Sequence, residues 1–183
     1  MAYRNGTYIA FHAGGTTDPT ASDIKYYNML KAWHSNDGMD FRFVNSHEKQ
    51  SAVRDSSARE TLRRSLKARL DGSKNMVLIV GPTTKSDTDW VPYEIEYAVD
   101  TCGIPIIVAY TGYGKVMAPR ELSGLWPAAL VARFNSGTLR AIHIPFRQAA
   151  IDCAIGQFHL SNMPKNGELY YSLAAHREFG LVQ

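Results

Sequence analysis

Short apolar runs alternate along the chain with longer stretches in which apolar residues recur at helical spacing. Thr7 to Phe11 predicts a first strand, and Ile24 to Trp33 a helix with Ile24, Tyr27, Leu30 and Ala32 among its apolar positions. A second short strand over Asp40 to Val44 leads into a polar loop from Asn45 to Ser56. Ala58 to Leu70 predicts a helix with Leu62, Leu66 and Leu70 in register, closed by Gly72 as a C-cap. "NMVLIV" (Asn75 to Val80) and "IPIIVA" (Ile104 to Ala109) are continuous apolar runs, which suits the buried centre of a parallel sheet. Pro105 stands near the start of the second run, where the ladder can lose a donor. From Tyr110 to Gly137 the pattern weakens, with one short helix around Pro127 to Arg133. Leu139 to Ile144 predicts a fifth strand and Phe146 to Ile155 a helix. The tail from Ser161 reads as a turn at Asn166-Gly167 followed by a short aromatic helical piece. Strands alternating with helices over one domain predict an α/β fold: a central, mainly parallel five-stranded sheet flanked by helices on both faces.

The stretch "SDTDWVPYEIEYAVDTC", residues 86 to 102, predicts one helix with two acids near its start. At roughly 100° per residue, Val91, Ile95, Ala98 and Cys102 share one narrow arc, which is the core face. Glu96 lies about 130° from that arc and belongs in solvent. Glu94 lies about 70° from it, between Trp90 and Tyr97, at a border where a carboxylate is partly desolvated yet reachable. Asp89 is the expected N-cap, and Pro92 falls in the first turn, where its missing N–H has no partner to lose. Two readings of Glu94 stand side by side: a carboxylate favoured by the helix macrodipole, or one that faces a pocket and does chemistry.

In an open parallel sheet, ligands bind beyond the carboxyl ends of the strands at a topological switch point. The first strand empties into "FHAGGTT" (11 to 17), the second into "NSHEKQ" (45 to 50) and the third into "GPTTKSDTDW" (81 to 90), so three loops are expected to converge near Glu94. Gly14, in "HAGG", reads either as flexible backbone that could approach a phosphate, though without the full dinucleotide fingerprint, or as a simple turn, and Asn45 and Ser46 open the second loop.

Composition narrows the function classes. The 183 residues are one domain's length, with 45% hydrophobic and 20% charged residues. With 20 Lys and Arg against 17 Asp and Glu, the net charge of +3 lacks the strong basic excess of a nucleic-acid binder. Its basic cluster "ARETLRRSLKAR" (58 to 69) reads as a solvated helix face. No nucleic-acid or membrane partner is expected, since no apolar run approaches the roughly 18 residues of a span. The N-terminus lacks signal-peptide character, and Cys102 and Cys153 make neither a disulfide framework nor a metal site, so the expected compartment is the cytoplasm.

Several motifs fail on inspection. "GPTTKS" lacks the second glycine of a P-loop. A phosphoacceptor aspartate is absent from the end of the third strand, where Gly81 and Pro82 stand. The six histidines show no metal-ligand spacing, and His12 at a strand end reads either as a hydrogen-bonder or as a general base.

The combination of "AFH" ending the first strand, "MVLIVG" as the third, and "WVPYEI" opening the next helix resembles the TIR-like proteins of bacterial Thoeris anti-phage defence, the ThsB type. The similarity runs from about Tyr8 to Ala109, and "IHIPF" (142 to 146) resembles a later strand of that family. The chain departs from the usual TIR pattern at Ala10 and in the loop after the second strand. The resemblance implies a TIR-like (flavodoxin-like) three-layer sandwich, expected as a TIR-like domain over residues 1–158 with a C-terminal extension, 159–183, packed on it. It implies an enzyme that cleaves the nicotinamide–ribose bond of NAD and makes a cyclic or other ADP-ribose-type signal. Glu94 matches the family's catalytic glutamate, and Phe11, His12 and Ala13 its pocket residues after the first strand. NAD is then a substrate, with no cofactor and no metal required. A separate effector that senses the product, self-association through TIR-like surfaces and a phage-derived trigger are the partners implied.

The chemistry also follows from the residues. Breaking an N-ribosyl bond builds positive charge on the ribose, which a carboxylate stabilises. Nicotinamide is already a cationic leaving group and needs no general acid. Trp90, Tyr93 or Phe11 could stack on it, plain core packing being the competing reading. Two other functions stay open: a TIR-like nucleotide-binding or protein-interaction module without turnover, and a nucleoside deoxyribosyltransferase-like enzyme.

Overall fold

The computed structural model describes residues 4–14, 22–36, 42–44 and 56–181. Six parallel strands form one sheet in the order β2-β1-β3-β4-β5-β6: β1 Gly6–Ala10, β2 Arg42–Val44, β3 Ser73–Val80, β4 Ile106–Tyr110, β5 Ala141–Pro145 and β6 Leu169–Tyr170. The helices are α1 Ile24–Asn36, α2 Ser56–Asp71, α3 Trp90–Glu96, α4 Ala128–Asn135, α5 Gln148–Gln157 and α6 Leu173–Glu178. The apolar runs of β3 and β4 are the two inner strands on which the architecture was expected to rest.

Side-chain alternation along the strands sorts the core into two layers. Tyr8, Ala10, Met76, Leu78, Val80, Ile106, Val108 and Tyr110 face Leu62, Leu66 and Leu70 of α2, Val91 and Ile95 of α3, and Leu130 of α4. Ile9, Phe11, Val77, Ile79, Ile107, Ala109, Ile142 and Ile144 face Tyr27 and Leu30 of α1 and Ile151 and Ile155 of α5. The sheet is therefore covered on both faces, as an all-parallel sheet must be. Buried Asn75 ties the parts together: its Oδ1 accepts from the Thr7 hydroxyl at 2.7 Å, and its Nδ2 donates to the Ile155 and Phe158 carbonyls that end α5.

Two local expectations are corrected. The helix over residues 86–102 is not one α-helix: after Glu96 the ladder widens into a π-helical segment, Tyr97–Cys102, closed by Gly103 at φ 63°. Ala98 and Cys102 stay buried through it, because the wider turn keeps the same face inward. The tail after Asn166-Gly167 first makes β6, and only then α6. The free edge of β5 offers unpaired backbone groups, and Leu169–Tyr170 takes them up before the helix begins.

The segment after β4 carries a short 3-10 helix, Pro119–Leu125, and then α4. A buried polar chain anchors it. The Trp126 indole donates to the Tyr110 hydroxyl (2.6 Å), Tyr110 donates to Nδ1 of His143 (2.7 Å), and His143 Nε2–H donates to the Gly167 carbonyl (2.8 Å). Every donor has an acceptor only if His143 is neutral. Burial enforces this by lowering its pKa from 6.5 to about 4. His176, also fully buried, links α6 to the same region: its Nδ1–H donates to the Ser172 carbonyl and its Nε2 accepts from the Val116 N–H.

Because the folded pKa of His143 is depressed, an unfolded chain binds a proton below about pH 6.5 that the fold refuses until about pH 4. Stability is thus full above that window and lost as pH falls through it, by at most about 3 kcal/mol. Urea unfolding at pH 7 and pH 4.5 should show His143→Phe less stable than wild type at pH 7 but with a shallower fall on acidification. Parallel falls in the two proteins would contradict the assignment.

Candidate active site

Glu94 sits in the first turns of α3 with none of its surface exposed. The border position expected from the helical wheel gives way to full burial because β1 reaches it from below: the Tyr8 hydroxyl donates directly to Glu94 Oε1. Tyr8 is itself fully buried. Burial, then the neighbouring Glu94 charge, pushes its phenol well above the ordinary tyrosine range, so it remains a proton donor. Glu96 stands exposed on the opposite flank, 3.3 Å from Arg133, which also pairs with Asp100 at 2.5 Å.

The basic face of α2 is solvated as expected, with Arg63, Arg64 and Lys67 exposed, and it also runs along the aromatic side of α3 and the π-helical segment. Arg59 stacks over Trp90, Arg63 over Tyr93 and Lys67 over Tyr97, with the cation 5.4 Å from the ring centroid in each pair. The four-residue spacing on α2 and the three- and four-residue spacing of the rings put both sets on facing stripes. Arg59 also holds both Asp89 oxygens at 2.7 Å. Asp89 occupies the N-cap position but makes no capping hydrogen bond. Asp87 caps in its place, accepting from the N–H groups of Asp89 (3.0 Å) and Trp90 (2.9 Å).

At the rim, the turns after β1 and β3 meet through buried Asp23. Its backbone N–H donates to the His12 carbonyl, its carboxylate accepts from the Thr84 hydroxyl at 2.7 Å, and Thr84 Oγ1 accepts from the Gly81 N–H at 2.7 Å. Burial raises the Asp23 pKa, opposed by the Thr84 hydrogen bond and by His12. A Cβ on Gly81 would collide with Asp23 Oδ1, so any larger residue there would have to push the Asp23 carboxylate out of its place.

The expected site residues divide accordingly. Glu94 and Trp90 lie in the layer of Tyr8, whereas Phe11 and Ala13 face the α1 and α5 layer, with Phe11 stacked on Tyr27 at 4.6 Å. Gly14 turns the chain at φ 66°. Trp90 is nearly buried, and Tyr93 is half-buried with its hydroxyl inside and without a hydrogen-bond partner; His12 Nδ1 is the other such side-chain atom among the described residues. Asn45 and Ser46 lie outside the described residues. Tyr8, Asp23, Thr84, Arg59 and Asp87 were missed. A tyrosine in an otherwise apolar strand needs a partner for its hydroxyl, and that signal points from Tyr8 to a buried acid.

Among the described residues, no group of three or more His, Cys, Asp or Glu is placed to hold a metal ion, and no helix is long and apolar enough to cross a membrane. The family model described as Thoeris protein ThsB, TIR-like domain, matches residues 8–115. The matched span starts at Tyr8, includes Glu94 and the Arg59 to Lys67 stripe, and ends beyond β4.

The capping geometry makes a ranking of two neighbouring acids. Asp87→Ala should cost about 1 kcal/mol in chemical unfolding, the loss of a helix cap. Asp89→Ala removes a half-exposed ion pair and should cost less than about half of that. The reverse order would return the cap to Asp89.

Proposed function

The chain belongs to the family of Thoeris ThsB TIR-like domains, and on that premise we propose that it is an NAD-consuming enzyme of anti-phage defence. It cleaves the bond between nicotinamide and ribose and makes an ADP-ribose-type nucleotide signal, cyclic or linear, for a separate effector. The observation that carries this reading is the buried carboxylate of Glu94, held by Tyr8 within the family-matched segment.

The proposed chemistry is one bond cleavage. The C1′–N bond of NAD breaks, its electron pair leaves with nicotinamide as the neutral base, and positive charge develops on the ribose. A carboxylate in a desolvated site stabilises that charge far more strongly than it would in water. Attack on C1′ by water, or by a hydroxyl of the ADP-ribose itself, completes the reaction, with the attacking proton passing to solvent or to the carboxylate. Trp90 and Tyr93 flank the acid as stacking surfaces, and the unpartnered Tyr93 hydroxyl and His12 Nδ1 supply polar contacts for substrate. Because Glu94 has no exposed surface, substrate reaches it only when the site opens. Activation by a trigger or by self-association would act at that step.

Complete burial is also the observation that favours the second reading, a TIR-like binding module in which Glu94 is structural. The pair of helix acids separates the two. Glu94→Gln keeps size and removes charge, so nicotinamide release from NAD should fall by a factor of roughly 100 or more. Glu96→Gln, on the exposed flank, should keep activity and change stability by less than about 1 kcal/mol. Nicotinamide release and thermal melting are measured for both under the condition that activates the wild type. Full activity in Glu94→Gln, or equal losses in the two folded variants, would favour the structural reading.

A further inference from the structure

We propose that Tyr8 is the positioning residue of the Glu94 carboxylate, fixing its orientation and holding it in the charged form that NAD cleavage requires; this rests on the reading of Glu94 given above. Three observations lead there. The two groups are in direct contact, with the hydroxyl donating to Oε1. Neither has any exposed surface. They also come from different parts of the fold, one from the middle of β1 and the other from α3, so their meeting is made by tertiary packing rather than by local sequence.

A buried carboxylate is driven toward its neutral form unless donors satisfy it. A hydrogen bond from a phenol does so without itself adding positive charge, whereas a lysine or arginine in the same place would oppose the negative field that an oxocarbenium centre needs. Tyr8 suits this work because it does not ionise: burial and the adjacent Glu94 both keep its proton on. The bond has a second consequence. One carboxylate oxygen is engaged from the sheet side, so the orientation of the other is set with it, and near-attack geometry depends on such fixed placement.

Other charged and titratable groups surround the pair. Tyr27 from α1 and Arg69 from α2 act on Tyr8 electrostatically, Tyr27 raising its pKa and Arg69 lowering it. Arg59 and Arg63 of α2 lie over Trp90 and Tyr93, and Asp89 is held by Arg59. All of these are retained in Tyr8→Phe, so a difference between that variant and the wild type reports the hydroxyl.

The test is a carbon-13 NMR titration of the glutamate side-chain carboxyls, with the Glu94 signal assigned by its loss in Glu94→Gln. In Tyr8→Phe the Glu94 midpoint should rise by about one pH unit, a tenfold change in ionisation constant. The acid limb of nicotinamide release should move up with it, while kcat at neutral pH falls about tenfold and KM changes by less than about twofold. If Tyr8→Phe fails to fold, 3-fluorotyrosine in place of Tyr8 keeps the ring shape and strengthens the donor, and the midpoint should move down. Coincident Glu94 midpoints in the wild type and a folded variant would overturn the proposal. A wild type that releases no nicotinamide under any activating condition would overturn the enzymatic reading instead, and the titration would still decide what Tyr8 does to Glu94.

Discussion

The hydrogen bond from Tyr8 to Glu94 is the constraint around which this fold is set. A carboxylate with no exposed surface cannot be left without donors, because the cost of an unsatisfied buried charge exceeds the whole stability margin of many domains. Strand β1 and helix α3 are therefore fixed relative to each other: sliding or rotating α3 by one residue would carry Glu94 off the phenol. The rest of α3 obeys that placement. Val91 and Ile95 pack on the sheet, Trp90, Tyr93 and Tyr97 turn toward the basic stripe of α2, and Glu96 is left outside with Arg133. Each cation–π contact is worth only about 0.5–1 kcal/mol at such exposed positions. As a set they hold α2 against the aromatic flank.

The rim is a separate network built on the same strands. Winding reverses between β1 and β3, and the turns that leave them are joined by Asp23, Thr84 and Gly81 rather than splayed apart. The close approach of Asp23 to Gly81 makes that junction tight. His12 leads into it, its carbonyl accepting from the Asp23 N–H, and Gly14 follows at φ 66°. Toward the β6 edge of the sheet, His143 and His176 fasten the segment after β4 and the C-terminal tail to β5 and to each other. The catalytic proposal thus concerns one end of a sheet whose other end is held by neutral His143 and by the hydrogen bonds of His176.

Much of this was legible from residue patterns, for identifiable reasons. Short, β-branched continuous apolar runs suit buried strands, so β3 and β4 were evident, and the arc of Val91, Ile95, Ala98 and Cys102 marked the core face of its helix correctly. Glu96 was rightly assigned to solvent on angle alone. Angle failed for Glu94, because a helical wheel contains nothing of the strand beneath it. Asp89 holds the N-cap position as expected but makes no capping hydrogen bond: Asp87 and Asp89 are both near the helix start, and only the position of Arg59 on α2 decides which carboxylate is free to cap. The π-helical turn leaves the buried set unchanged, so periodicity could not distinguish it from an α-helix. Strand β6 has two residues, too few for an alternating pattern, and exists because β5 would otherwise be an open edge. Phe11 was a candidate for stacking on substrate by its place after the first strand, yet strand parity turns it to the layer away from Glu94.

The central claim is that the carboxylate buried on Tyr8 is the group that meets the ribose of NAD. The most direct measurement is a crystal structure of the Glu94→Gln variant with NAD, in which chemistry is slowed and the substrate should persist. The account predicts the nicotinamide-bearing C1′ in van der Waals contact with the side chain at position 94, the nicotinamide ring against Trp90 or Tyr93, and the Tyr8 hydroxyl still bonded to that side chain. NAD seated elsewhere, with the side chain at 94 enclosed only by protein, would contradict it.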